Sequence, residues 1–127
     1  MTPPMTGDED RIAELHAAIN ARDLEAAVAC YAPDARFADG LEGGVIQGHD
    51  AIRAHFIHLF EAIRVELAVI RLSRLPDGRL RARLQVVARG PRGGLWQDDA
   101  LTVWYRFERG LIVEQELDDS GRDQETP

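Results

Sequence analysis

Four side chains carry the chemistry that this sequence has to offer: Asp39, Asp99, His16 and His55. Carboxylates and imidazoles move protons, and they do so best when their surroundings bring the pKa toward the working pH. Asp39 ends the run Asp34-Ala35-Arg36-Phe37-Ala38-Asp39 and shares a strand face with Phe37. On an apolar pocket wall that carboxylate would resist ionisation and become a stronger base toward a carbon acid. Its other reading is an Asp that caps the glycine-rich loop starting at Gly40. Asp99 has the strand parity of Gln97, Leu101, Val103, Tyr105 and Phe107, which makes it a partner for Asp39 in an acid/base couple. Beside Asp98 it is alternatively a solvated acid at a strand end. His16 and His55 each lie at the edge of an apolar helical stripe, one turn from Ile12 and from Ile52 or Leu59. There they either reach a cavity as donor or base, or make a boundary hydrogen bond. His55-x-x-His58 has a spacing that can chelate a metal, but His58 falls off the apolar face and no third ligand follows. No metal and no cofactor is expected.

What the chain lacks removes whole classes of reaction. There is no lysine, so the 15 basic residues are all arginine and Schiff-base catalysis has no side chain to run on. Ser73 and Ser120 are the only serines, and neither lies in a G-x-S-x-G elbow. Neither glycine-rich phosphate loop is present. The single Cys30 excludes an internal disulfide. A net charge of −7 argues against nucleic acid or an anionic membrane as partner. No apolar run approaches the roughly 18 residues of a membrane span, and the acidic start is unlike a signal peptide, so a cytoplasmic protein is expected. At 127 residues and 45% apolar content, the chain makes one domain with one core.

The elements that must position these groups follow from periodicity. Residues 1–7 read as a disordered lead. Thr6-Gly7-Asp8-Glu9 spells a capping box, and Ile12, Leu15 and Ile19 recur at helical spacing over 8–21. Asp23 can cap a short second helix with Leu24, Ala27, Val28 and Tyr31 inward, stopped by Pro33-Asp34. A short strand over 35–39 and an irregular glycine-rich stretch precede a third helix over 49–63, which carries Ile52, Phe56, Leu59, Phe60 and Ile63 on one face. After residue 64 the period becomes two. Strands are expected over 65–73, 80–88, 95–108 and 111–118, joined by tight turns as an antiparallel meander, with a polar tail at 120–127.

Three segments carry a resemblance: Ala18-Ile19-Asn20-Ala21-Arg22-Asp23-Leu24-Glu25-Ala26, Tyr31-Ala32-Pro33-Asp34-Ala35-Arg36-Phe37, and Gly48-His49-Asp50-Ala51-Ile52-Arg53. Together they resemble the nuclear transport factor 2-like superfamily, and within it the SnoaL-like, ketosteroid isomerase-like branch. The resemblance implies an α+β fold over residues 8–119, a cone-shaped curved antiparallel sheet wrapped around three N-terminal helices, with an apolar pocket open at one end. It places Asp39 at the spacing of the isomerases' catalytic base, and by parity and helix face Asp99 and His16, or His55 or Tyr105, are the groups that could assist it. It puts Leu15 and Val103 where those enzymes carry their two enolate-stabilising donors, and losing one such donor typically costs roughly 10²–10³ in rate. Gln115 and Leu117 stand where SnoaL-like cyclases carry a His-x-Asp pair. The implied pocket is lined by Leu15, Ile19, Tyr31, Phe37, His55, Phe56, Val103, Tyr105, Gln115 and Leu117. It implies a small hydrophobic ligand, with isomerase or lyase chemistry based on Asp39, or alternatively a non-catalytic pocket or scaffold.

Charge is uneven. Residues 71–92 hold seven arginines against Asp77 alone, but Arg81 and Arg83 have the parity that faces away from the core, where Asp98, Glu114, Glu116 and Asp118 are expected to pair with them. The same outer face is expected to show Ile70, Leu72, Val87, Trp96, Trp104 and Ile112. Tryptophan mixed with arginine marks an interface, and a homodimer through this face is expected.

Overall fold

Two helices open the chain, and a third follows after two strands. In a computed structural model, which describes residues 7–38 and 44–117 (Trp96 and Gln97 by backbone only), α1 spans Gly7–Ala21 and buries Ile12, Leu15, His16, Ala18 and Ile19. Asp8, Glu9 and Asp10 sit in its first turn, where the helix dipole favours negative charge. The short α2, Leu24–Ala29, is capped by Asp23, whose side chain accepts from the Ala26 N–H at 3.2 Å. Ile52 and Phe56 anchor α3, His49–Ala62. Arg22, in left-handed backbone at φ 59°, donates to the Phe60 and Ile63 carbonyls and so caps the far end of α3 from the α1–α2 corner. No helix among the described residues is long and apolar enough to cross a membrane.

The strands are β1 (Tyr31–Ala38), β2 (Val45–Gln47), β3 (Arg64–Arg74), β4 (Leu80–Arg89), β5 (Leu95–Glu108) and β6 (Leu111–Leu117). They make one curved, unclosed sheet in the order β2-β1-β6-β5-β4-β3. The expected meander is present in β3 to β6. Arg109 and Gly110, both at positive φ, supply the two-residue turn that matches strand twist between β5 and β6. The sheet is mixed, not antiparallel throughout. β1 runs parallel to β6, because α3 and the first three strands of the meander intervene as a long crossover. Tyr31 begins β1 and is not part of α2, and Pro33 interrupts no helix. Pro33 lies where the β1–β6 register shifts between Tyr31 and Arg36, the kind of ladder irregularity that tolerates a missing N–H. The glycine-rich stretch contains the short strand β2, paired antiparallel with Arg36–Ala38. Edge strand β3 is shielded by Asn20, whose side chain pairs with both the N–H and the C=O of Leu67.

Two bulges overturn parts of the expected face assignment. In β3 the register shifts between Val69 and Arg71, so Leu72 pairs with Ala82 on the inner face while Ile70 is left 56% exposed. In β5–β6 the shift between Arg106 and Phe107 turns Ile112 inward, where it is completely buried. Val87 and Trp104 stay half-buried on the outer face. The Arg79 guanidinium lies 4.9 Å and that of Arg81 5.7 Å from a Trp104 ring centroid. Arg106 pairs with Glu114 at 3.3 Å, and Arg83 donates to the buried Thr102 hydroxyl at 3.1 Å.

Candidate functional site

Between the helices and the concave side of the sheet lies a cavity of about 320 Å³. Its walls follow from the periodicities. Helix spacing sends Leu15, His16 and Ile19 of α1 and His55, Phe56 and Leu59 of α3 into it. Strand alternation does the same for Leu84, Val86 and Ala88 of β4 and for Leu101, Val103 and Tyr105 of β5. Tyr31 and Phe37 of β1 and Gln115 and Leu117 of β6 complete the wall. The strand residues of β3 and β4 were not among the expected pocket residues. The β4 signal was available in the alternation of Leu80, Ala82, Leu84 and Val86, and that of β3 in Val65 and Leu67.

Aromatic rings form one side. Phe37 packs against His55 at 4.9 Å between ring centroids, against Tyr31 at 5.6 Å and against Phe56 edge-on at 5.9 Å. Leu15 and Val103, 1% and 3% exposed, line the cavity and offer it no hydrogen-bond donor. The ring Nε2 of His16 stands 3.3 Å from the Tyr105 hydroxyl, a buried pair 89 residues apart in the chain. Both residues are identifiable singly from periodicity, but only the packing of α1 on β5 joins them. Tyr31 donates a 2.6 Å hydrogen bond to the Gln115 side-chain carbonyl.

Burial sets the electrostatics. Desolvation alone pulls the His16 imidazole down to about 4, so the ring is neutral at physiological pH. Desolvation likewise pushes the Tyr31 and Tyr105 hydroxyls above the usual tyrosine range. The buried part of the cavity is thus polar in places without being charged. Asp99 lines the cavity from an exposed position on β5, its carboxylate accepting from the Ala100 N–H at 2.8 Å. Asp39 lies outside the described residues. Ala38, the residue before it, lines the cavity. Among the described residues no three His, Cys, Asp or Glu side chains cluster to hold a metal.

A family model described as the SnoaL-like domain matches residues 12–115, which include every element from α1 to β6 in whole or part. The chain belongs to the SnoaL-like domain family. None of the curated proteins matches its sequence. Among solved structures, this SnoaL-like domain is similar to an NTF2-like protein of unknown function from Burkholderia pseudomallei, with 25% identity, TM-score 0.75 and coverage of 94% of this chain and 97% of the other. It is also similar to a Mycobacterium tuberculosis protein in complex with estradiol-17beta-hemisuccinate, with 17% identity, TM-score 0.78 and coverage of 89% and 93%. A computationally designed 17-OHP binder matches with 19% identity, TM-score 0.79 and coverage of 90% and 93%. The last two likenesses are of fold. What this SnoaL-like domain does with its cavity turns on its own residues, since one fold hosts many unrelated functions.

Proposed function

We propose that this protein binds a small, largely apolar, uncharged molecule in the cavity, and that Asp39 acts on the bound molecule as a proton-transfer base. The cavity carries the binding half of this reading: about 320 Å³ of space, walled mainly by aliphatic and aromatic side chains, with a few neutral polar groups converging on it. Ligand pockets of small molecules have that composition and begin at about 300 Å³. The neighbour of the same fold bound to estradiol-17beta-hemisuccinate supports a largely apolar ligand body. The catalytic half rests on the position of Asp39, directly after the cavity residue Ala38, with Asp99 and His16 as candidate helpers in proton transfer. Turnover would have the character of an isomerase or lyase.

A second reading, a pocket without turnover, is favoured by Leu15 and Val103, because an enolate formed beside them would find no donor. Two experiments separate the readings. Naphthalene should bind saturably, and Ala88→Phe, which fills the cavity from β4, should abolish binding while the thermal melt stays cooperative. The wild type should then accelerate solvent-deuterium exchange at the acidic carbon of 2-tetralone, and Asp39→Asn should end that acceleration without weakening naphthalene binding. Binding without accelerated exchange selects the non-catalytic pocket. A loss of roughly 1 kcal/mol of stability in Asp39→Asn, with exchange untouched, makes Asp39 a loop cap. The expected homodimer belongs to the same proposal, supported by half-buried Trp104 and Val87 and by exposed Ile70.

A further inference from the structure

The polar groups of the cavity are not scattered. His16 on α1 reaches Tyr105 on β5 at 3.3 Å. Tyr105 stands opposite Gln115 of β6 in the β5–β6 register, and directly opposed residues on one face have Cβ atoms only about 5 Å apart. Gln115 in turn accepts from Tyr31 of β1 at 2.6 Å. Four neutral polar side chains from four elements thus form one strip along the cavity wall, while His55, Asp99 and Thr102 line the cavity outside it. Asp99 lies six residues along β5 from Tyr105, on the order of 20 Å away in an extended strand. No arginine is among the described residues lining the cavity.

One atom of the strip is unsatisfied. His16 Nδ1 is buried, in a residue only 6% exposed, and has no hydrogen-bond partner among the described residues. The tautomer of a histidine is ordinarily set by the hydrogen bond of its second nitrogen, and here nothing holds that nitrogen. Nε2 is therefore free to accept from the Tyr105 hydroxyl or to donate to it. Either arrangement leaves Tyr105 one remaining capability: it accepts from a ligand when its own proton points to His16, and donates to a ligand when His16 carries the proton on Nε2.

We infer that the molecule this cavity takes is uncharged and carries a hydroxyl or carbonyl oxygen that hydrogen-bonds to Tyr105, with His16 changing tautomer to suit whichever it is. This rests on the pocket reading above and adds the chemistry of the ligand's head group. A carbonyl accepts from Tyr105, and the imidazole proton sits on Nε2. A phenol-type hydroxyl, a better donor than acceptor, donates to Tyr105, Tyr105 donates to Nε2, and the imidazole proton sits on Nδ1. An anionic head against Tyr105 is disfavoured, because it would give up its hydration beside the neutral strip, with no arginine among the described lining residues to offset the loss.

Four probes on one apolar body test this: naphthalene, 2-naphthol, 2-acetylnaphthalene and 2-naphthoate, titrated into the wild type and Tyr105→Phe. A neutral hydrogen bond should make 2-naphthol and 2-acetylnaphthalene bind about 3- to 10-fold tighter than naphthalene. Tyr105→Phe should erase both advantages, each read as the ratio to naphthalene in the same protein, and 2-naphthoate should bind more weakly than naphthalene. Nitrogen-15 spectra of His16 in the wild type read the tautomer without any substitution, and should show the proton on Nδ1 with 2-naphthol and on Nε2 with 2-acetylnaphthalene. Equal affinities for the three uncharged probes, tightest binding of the carboxylate, or one tautomer in both complexes would each overturn the inference while leaving the pocket standing. Failure of all four probes to bind, naphthalene included, would bring down the pocket reading and this inference together.

Discussion

Acid should weaken this fold well above the pH at which its carboxylates protonate, and His16 is the cause. The ring is buried, and its nearest partner is the neutral Tyr105 hydroxyl, which offers a protonated ring nothing that a neutral one lacks. Burial lowers its pKa from 6.5 to about 4, so between those values the unfolded chain binds a proton that the folded chain refuses. Stability from this group is therefore fully present above pH 6.5 and is lost as the pH falls toward 4. A difference of 2.5 between the two pKa values sets a ceiling of roughly 3 kcal/mol, with a slope approaching 1.4 kcal/mol per pH unit. From pH 7 to pH 5 the loss should be about 2 kcal/mol. Glu25 and Asp77 also have lowered pKa values, from side-chain and backbone hydrogen bonds with Arg53 and Arg79 respectively, but they lose their contribution only below their ordinary values of 4.5 and 3.8. Urea denaturation of the wild type and His16→Gln at pH 7, 6 and 5 isolates the histidine, because glutamine keeps a hydrogen-bonding reach and does not titrate. The variant should lose about 2 kcal/mol less than the wild type over that range. Equal losses in the two proteins would refute the claim that His16 is held neutral by burial.

Ile112 and Ile70 both look like outer-face residues by alternation, yet one is completely buried and the other 56% exposed. Ile112→Ala should cost roughly 2–5 kcal/mol in urea denaturation and Ile70→Ala under about 1 kcal/mol, and comparable costs would contradict the bulge in the β5–β6 ladder. For assembly, light scattering at micromolar concentration should give twice the 14.2 kDa chain mass, and Trp104→Glu should halve it. A wild type already at the monomer mass ends the homodimer proposal.

The order of elements was legible because each carries a local signal: Asp23 before α2, the change of period at residue 64, glycine at each turn of the meander. Register was not. Alternation counts residues and has no means of seeing a bulge, so Leu72 and Ile112 were assigned to the wrong face by one skipped position each. Parallel pairing of β1 with β6 was hidden for a related reason: it joins segments about 80 residues apart, and nothing in either strand records the direction of its neighbour. Pro33 misled in the same way, because its effect on a helix is local while its place in an irregular strand depends on that distant partner.

The same distinction runs through the site. Residue types that line a cavity are readable one at a time, since parity sends Val103 and Tyr105 to one side and helix spacing sends Leu15 and His16 to another. Its polar pattern is pairwise: His16 with Tyr105 and Tyr31 with Gln115, pairs separated by 89 and 84 residues. Each of the four side chains alone has a bland explanation as a satisfied boundary residue. Joined across α1, β5, β6 and β1, they supply hydrogen bonds at a place where Leu15 and Val103 supply none, and they do so without a charge. A pocket built this way can hold and orient a neutral oxygen, whereas stabilising a full enolate charge would ask more of two weakly acidic phenols and a neutral imidazole. Any proton transfer to Asp39 must therefore draw on carbon acids activated by their own structure, which is why the exchange test uses the carbon of 2-tetralone that lies between a carbonyl and an aromatic ring.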